Sequence, residues 1–201
     1  MEQIPVIFAA KTPTFDELHQ RGVQILTDWS GSQITKLSKF LFWVDPTHFY
    51  FLASQKGTSG MNHPDSRLGQ YQAELWKYDV AEFFLLSSDK SRYLEFNLAP
   101  NGGWWSSAFT APLQAAPGEP SPIPDVKTSA EATSEGWQAR ASIPLSWLQE
   151  VYGFGESSHL NACFILNSPD QIFVTAGDPP EGKPDYHRPD LFPPINPIAL
   201  A

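Results

Sequence analysis

The stretch LWKYDVAEFFLL, residues 75–86, sets two carboxylates, Asp79 and Glu82, inside one of the most apolar and aromatic segments of the chain. Burying an unpaired carboxylate is costly, so such groups are paired, hydrogen-bonded or held at an open surface. Asp79 reads as a cap at the start of a strand. Glu82 alternates with Val80, Phe84 and Leu86, with Ala81 and Phe83 behind it. Two sources account for its placement: an ion pair with Arg92 or Arg140, whose disruption typically costs ~3–5 kcal/mol, or a ligand contact at the floor of a site. A further carboxylate, Glu95, shares a face with Tyr93 and Asn97 in RYLEFNLA (92–99), opposite Leu94, Phe96 and Leu98. That alternation predicts a two-sided strand with a solvated or ligand-facing polar surface.

An apolar wall with a few orienting polar groups is the composition of a small-ligand pocket. Trp76, Trp104 and Trp105 would supply aromatic faces for the apolar side of a pyranose, and Glu82, Glu95, Asn97 and Arg188 the partners for its hydroxyls. The competing reading places these tryptophans in the core, where large aromatics dominate packing. Trp104 and Trp105 are consecutive, so an extended segment points them to opposite sides and leaves one exposed or in a groove. As a glycosidase pair, Glu82 and Glu95 would have to flank a scissile bond at a set separation. Nothing in the sequence tunes either as an acid, and the chain has no Gly-x-Ser-x-Gly elbow, phosphate loop or His-Glu-x-x-His. No catalysis is expected. The five histidines, at 19, 48, 63, 159 and 187, lack metal-ligand spacing. No cofactor is expected: haem would draw on Met61, His63 or His187, and calcium on loop carboxylates such as Asp185 or Asp190.

The elements that must position these residues read as strands. Aromatics make up 13% of the 201 residues and charged residues only 17%, a balance opposite to that of a disordered chain. Nineteen prolines and thirteen glycines fall in many short polar breaks, which favours strands over long helices. KFLFWV (39–44) and HFYFLAS (48–54) flank Asp45-Pro46-Thr47 and predict a hairpin whose first strand is apolar on both faces. AEFFLLS (81–87) pairs with 92–99 across Ser88–Ser91, and GWQARASIPLSWL (136–148) alternates Trp137, Ala139, Ala141 and Ile143 before a turn of helix at Ser146-Trp147-Leu148. HLNACFILNS and QIFVTAG supply two more strands. Thr14-Phe-Asp-Glu17 is a capping-box pattern that opens one short helix. Residues 55–73 lack periodicity, 111–130 read as an irregular excursion, and the proline-punctuated tail reads as an extended wrap. The whole chain, 1–201, reads as one all-β domain, an antiparallel sandwich of two sheets with at most one or two short helices.

The formal charge of −9 excludes a nucleic-acid binder, which needs a cationic surface, and argues against an anionic membrane. The single cysteine, Cys163, lies in the apolar run NACFIL and reads as a buried thiol. The first residues lack the basic and long apolar regions of a secretory signal, so a cytoplasmic setting is expected.

Taken in order, the segments resemble the family 9 carbohydrate-binding modules and the related DOMON-like domains. The carriers are Trp76, Asp79, Glu82 and Phe83; then Tyr93, Glu95, Phe96, Asn97, Pro100 and Gly102; then Gly136, Trp137, Ala139, Ile143, Pro144 and Leu148, with Asn161; and last Tyr186, His187, Pro189, Asp190 and Phe192. The central segment YLEFNLAPNGGWWSSAF resembles that of a group of stand-alone DOMON-like proteins, and the resemblance as a whole spans roughly residues 36–192. The resemblance implies a jelly-roll-like or immunoglobulin-like sandwich and non-catalytic binding of a carbohydrate or, in DOMON relatives, of haem. A protein-interaction sandwich with no small ligand is the third alternative. Sugar-binding members often carry a stacking Trp near the C-terminus; no Trp follows Trp147 here, leaving Tyr186 or Phe192 to take its place.

Overall fold

A computed structural model describes residues 1–57 and 60–200, apart from the side chain of Lys36. Among the described residues, thirteen strands and two short helices follow the chain as β1 (Ile4–Phe8), α1 (Phe15–Arg21), β2 (Val23–Thr27), β3 (Gln33–Val44), β4 (His48–Lys56), β5 (Val80–Leu86), β6 (Tyr93–Leu98), β7 (Trp104–Ala111), β8 (Gln114–Ala115), β9 (Lys127–Thr133), β10 (Gly136–Pro144), α2 (Leu145–Tyr152), β11 (His159–Leu166), β12 (Ile172–Thr175) and β13 (Ile195–Ala199). One sheet runs β13-β1-β3-β4-β10-β9, with β2 also on β3, and the other runs β12-β11-β5-β6-β7-β8. The predicted two-sheet sandwich is what forms. Its pairings are antiparallel except at one edge, where β1 lies parallel to both β3 and β13.

Period-two alternation sends one side chain in two into the layer between the sheets. Phe40, Phe42, Phe49 and Phe51 meet Phe83 and Phe96 there, with Leu94, Leu98, Leu160 and Phe164 around them. The other face of β3, with Leu41 and Trp43, is closed by α1 through Leu18 and Phe15, which explains why KFLFWV is apolar on both sides. Glu17 completes the start of that helix: its carboxylate accepts the Thr14 N–H at 2.9 Å and the Thr14 hydroxyl.

The hairpin turn depends on Asp45. One of its oxygens accepts from the Thr47 N–H (2.7 Å), the Thr47 hydroxyl (2.9 Å) and the His48 N–H (2.8 Å), while the Tyr50 hydroxyl donates to the other at 2.6 Å. Burial pushes this carboxyl up, but the Tyr50 and Thr47 donors outweigh it and hold the group at about 2. Asp45→Ala is expected to cost about 2 kcal/mol, because it strands several donors at once. A carboxyl with a depressed folded pKa stabilises above its unfolded value and loses that contribution as the pH falls. The deficit, read by urea titration, should therefore be full above pH 3.8 and shrink towards pH 2. A variant within 0.5 kcal/mol of the parent would refute the role given to Asp45.

The aperiodic stretch after β4 is pinned where it is described. Asp79 accepts the Met61 N–H at 3.1 Å and the Ser168 N–H at 2.7 Å, so it does tie the start of β5 to two loops. Farther on, Ser66 and Asn101 exchange hydrogen bonds at 2.9 Å. Gly102, at φ +81°, allows the turn before β7 to lie against Leu68, where a Cβ would come within 2.5 Å of that side chain. Two expectations are corrected. Residues 111–130 are not wholly irregular, since β8 and the start of β9 fall within them. The tail does more than wrap: β13 adds an edge strand beside β1. No helix among the described residues is long and apolar enough to cross a membrane.

Candidate functional site

The polar face predicted for β6 exists, and register shows what shares it. Cys163 pairs with Thr175, Glu82 with Cys163, Asn97 with Glu82 and Trp105 with Asn97. A row Thr175–Cys163–Glu82–Asn97–Trp105 therefore crosses five strands on the outer side of the second sheet. One step along, Asn161, Phe84, Glu95 and Ser107 form the next row, followed by Leu86, Tyr93 and Phe109.

Of the two readings of the Glu95 face, solvated or ligand-facing, the first is removed, because the face is covered. Tyr186 and Phe192 of the tail cover it, together with Leu75, and leave Glu82 and Glu95 only 2% and 5% exposed. The Tyr186 hydroxyl is anchored to the backbone of Phe164 and Val174, 2.8 Å from the Phe164 carbonyl. His187 lies over Glu95, with Nε2 3.5 Å from the carboxylate and Nδ1 2.8 Å from the Tyr93 hydroxyl. Asn97 donates to Glu95 at 2.9 Å.

Glu82 has neither expected arginine. Arg92 reaches the Val151 carbonyl and packs over Tyr152, while Arg140 reaches Pro13 across the other sheet. Among the described residues the buried Asn97 Oδ1 and Trp105 Nε1, beside Glu82 on the row, have no hydrogen-bond partner. Burial and then the neighbouring Glu95 charge push the Glu82 carboxyl well above the carboxylate range. Burial pushes Glu95 up to about 7 against the opposing Asn97 hydrogen bond. Burial lowers the His187 pKa, and the Cys163 thiol is raised by burial and then by Glu82.

Trp76 precedes β5 in a single 3₁₀ turn, Leu75–Lys77, rather than on the strand itself. It is 36% exposed, and its ring meets Trp105 edge-on with centroids 4.9 Å apart. Trp105 ends the polar row but is buried beneath it. Trp104 points the other way, into the sandwich, stacked on Phe96 at 5.7 Å. Neither of the pair is exposed, so the expectation of one open indole is corrected, and Trp104 belongs to the core. Arg188 is engaged elsewhere: its guanidinium pairs with Asp190 at 2.9 Å. The structure thus gathers Trp76, Trp105, Glu82, Asn97 and Glu95, and adds Tyr93 and His187. Tyr93 could have been found from its shared parity with Glu95, whereas His187 reaches the site across a long loop that no local pattern reveals.

No family model matches the chain, and no curated protein matches it. Solved structures do. A Bacteroides uniformis protein proposed to bind carbohydrate superposes with a TM-score of 0.75 at 13% identity, over 98% of this chain and 99% of that one. Two structures of a family 9 carbohydrate-binding module from Caldicellulosiruptor kristjanssonii, one with cellotriose and one with glucose, give TM-scores of 0.61 and 0.62. Their identities are 14% and 15%, and each comparison covers 98% of this chain with 95% and 97% of the module. The chain therefore has the β-sandwich fold of the family 9 carbohydrate-binding modules.

Proposed function

We propose that the chain is a non-catalytic carbohydrate-binding module and that its ligand face is the polar row beside Trp76. One observation carries the reading. Asn97 Oδ1 and Trp105 Nε1 lie buried side by side with no hydrogen-bond partner among the described residues, next to the buried Glu82, although folding normally satisfies such groups. Sugar hydroxyls both donate and accept, so a ring set against Trp76 would match an indole N–H, an amide oxygen and a carboxyl group together. Reaching the row requires Trp76 to leave Trp105 and the cover of Leu75, Tyr186 and Phe192 to shift. Glu95, held by Asn97 and His187, fixes the orientation of the reading groups. Glycoside cleavage is disfavoured because Glu82 and Glu95 are diagonal neighbours on one buried face, not carboxylates on either side of a bound sugar.

The test is a tryptophan-fluorescence titration with glucose, cellotriose and a panel of other neutral sugars. A saturable change is expected, and Trp76→Ala should weaken it about tenfold, the equivalent of ~1.4 kcal/mol. A parent protein silent to every sugar, or a Trp76→Ala variant that binds as well as the parent, overturns the reading.

A further inference from the structure

Beyond the tail residue Tyr186 lies an open groove of about 680 Å³, walled by Trp29, Phe173, Pro179 and Pro180 and edged by Asp28 and Gln171. Its size falls in the range of small-ligand sites, and its walls are aromatic and proline faces with polar groups at the margin. The Trp29 side chain is held in place: its indole N–H donates to the Gly182 carbonyl at 3.1 Å, and its backbone N–H to Phe173 at 2.7 Å. Its ring also contacts Tyr186 at 5.7 Å. Asp28 Oδ1 accepts from the Ser30 N–H (2.9 Å), the Ser30 hydroxyl (2.7 Å) and the Ser32 N–H (3.0 Å). Among the described residues Asp28 Oδ2 has no partner. Gln171, which lines the groove, donates through its amide to the Trp76 backbone carbonyl at 3.0 Å and so lies between the groove and the Trp76 turn.

We propose that this groove is a second subsite that takes the following units of a neutral oligosaccharide whose first ring lies on Trp76. The chemistry selects a neutral, hydroxyl-rich chain: among the described residues no lysine, arginine or histidine lines the groove to hold an acidic sugar, and Asp28 and Glu181 would repel one. The Trp29 and Phe173 faces cover apolar sugar faces, while Asp28 Oδ2 and the Gln171 carbonyl accept hydroxyls. Asp28 stays ionised for this, because the Ser30 hydroxyl and the backbone donors outweigh burial and hold its pKa below the ordinary value. The proposal rests on the Trp76 reading.

The experiment is calorimetric titration of glucose, cellotriose and maltotriose into the parent, Trp29→Ala, Asp28→Asn and Trp76→Ala proteins. The parent should bind one trisaccharide about tenfold tighter than glucose, a gain of ~1.4 kcal/mol. Trp29→Ala should erase that gain and leave glucose affinity unchanged. Asp28→Asn keeps the Oδ1 acceptor that orders the loop, so it reports on the groove even if Trp29→Ala fails to fold, and it should reduce the gain. Equal affinity of the parent for glucose and both trisaccharides, or a gain that survives both groove variants, overturns the subsite while leaving Trp76 in place. Trisaccharide binding that ignores Trp76→Ala but disappears with Trp29→Ala overturns the Trp76 reading instead, and a parent that binds none of the three overturns both.

Discussion

Phe83→Ala lowers the stability of the sandwich by about 3–5 kcal/mol, the largest effect expected of any single side chain here. Phe83 sits at the centre of β5 and reaches both sheets. Its ring lies 5.9, 5.4 and 5.3 Å from Phe42, Phe49 and Phe51 on the first sheet, and stacks on Phe96 of its own sheet at 5.1 Å. Truncation removes the buried area and leaves a cavity between two layers held apart by the neighbouring rings, so collapse can recover little. Domains are stable by only about 5–15 kcal/mol, so the loss is a large share of the whole. Urea titration should show a lower midpoint at unchanged slope, and thermal melting a fall of roughly 10 °C for a chain of this size. A loss below about 1 kcal/mol would mean that the two sheets do not meet at Phe83.

That central layer was legible from the sequence, because alternation at period two declares itself over a few residues. Phe83, Leu94 and Phe96 could be assigned a face without knowing where the strands pair, whereas KFLFWV is apolar on both sides and did not show which of its faces is the central one. The hairpin at Asp45 was legible for the same reason, since its chemistry is local. The failures are long-range. Lys127–Thr133 reads as polar and small, KTSAEAT, and becomes a strand because β10 offers it an antiparallel partner. Ile195–Ala199 contains Pro197 and pairs only at an edge, where a missing N–H is tolerated. The parallel contact of β1 with β3 brings together strands separated by a helix and another strand.

The candidate site divides along the same line. Glu82, Glu95 and Asn97 come from one hairpin and meet, and Trp76, just before it, reaches the end of their row at Trp105. Trp104 and Trp105 could be separated by parity, but parity does not say which side remains open, and the answer depends on what the tail covers. The polar face of β6 could be read as solvated or ligand-facing because its cover arrives from Tyr186, His187 and Phe192, about ninety residues later. Arg188 was grouped with the carboxylates by composition, yet its nearest acid is two positions away at Asp190. Trp29, which shapes the groove, sits in a short turn with no periodic neighbour and is given meaning only by β12 and the tail.

The cover over Glu82 and Glu95 has a thermodynamic consequence that can be measured without any ligand. Burial places the Glu95 carboxyl at about 7 in the folded protein against 4.5 in an unfolded chain. An acid with a raised folded pKa holds its proton where the unfolded chain has released it, so its stabilising contribution is complete below pH 4.5 and is lost as the pH rises through 7. At about 1.36 kcal/mol per pKa unit the loss is ~3 kcal/mol, and Glu82, raised by burial and by Glu95, acts in the same direction. Of the groups facing the pair, His187 opposes the trend: burial lowers its pKa against the raising effect of Asp185, so it costs stability as the pH falls below 6.5. Tyr93, Tyr186 and Cys163 are all pushed upward, chiefly by burial, and stay neutral across this window. Glu95→Gln keeps an acceptor for Asn97 and leaves His187 titrating in both proteins, while it removes the titrating carboxyl together with its push on Glu82. Between about pH 5 and pH 8 the parent should lose ~3 kcal/mol more than the variant in urea titrations. Parallel profiles would show that Glu95 is solvated in the folded state and that the tail does not close the face.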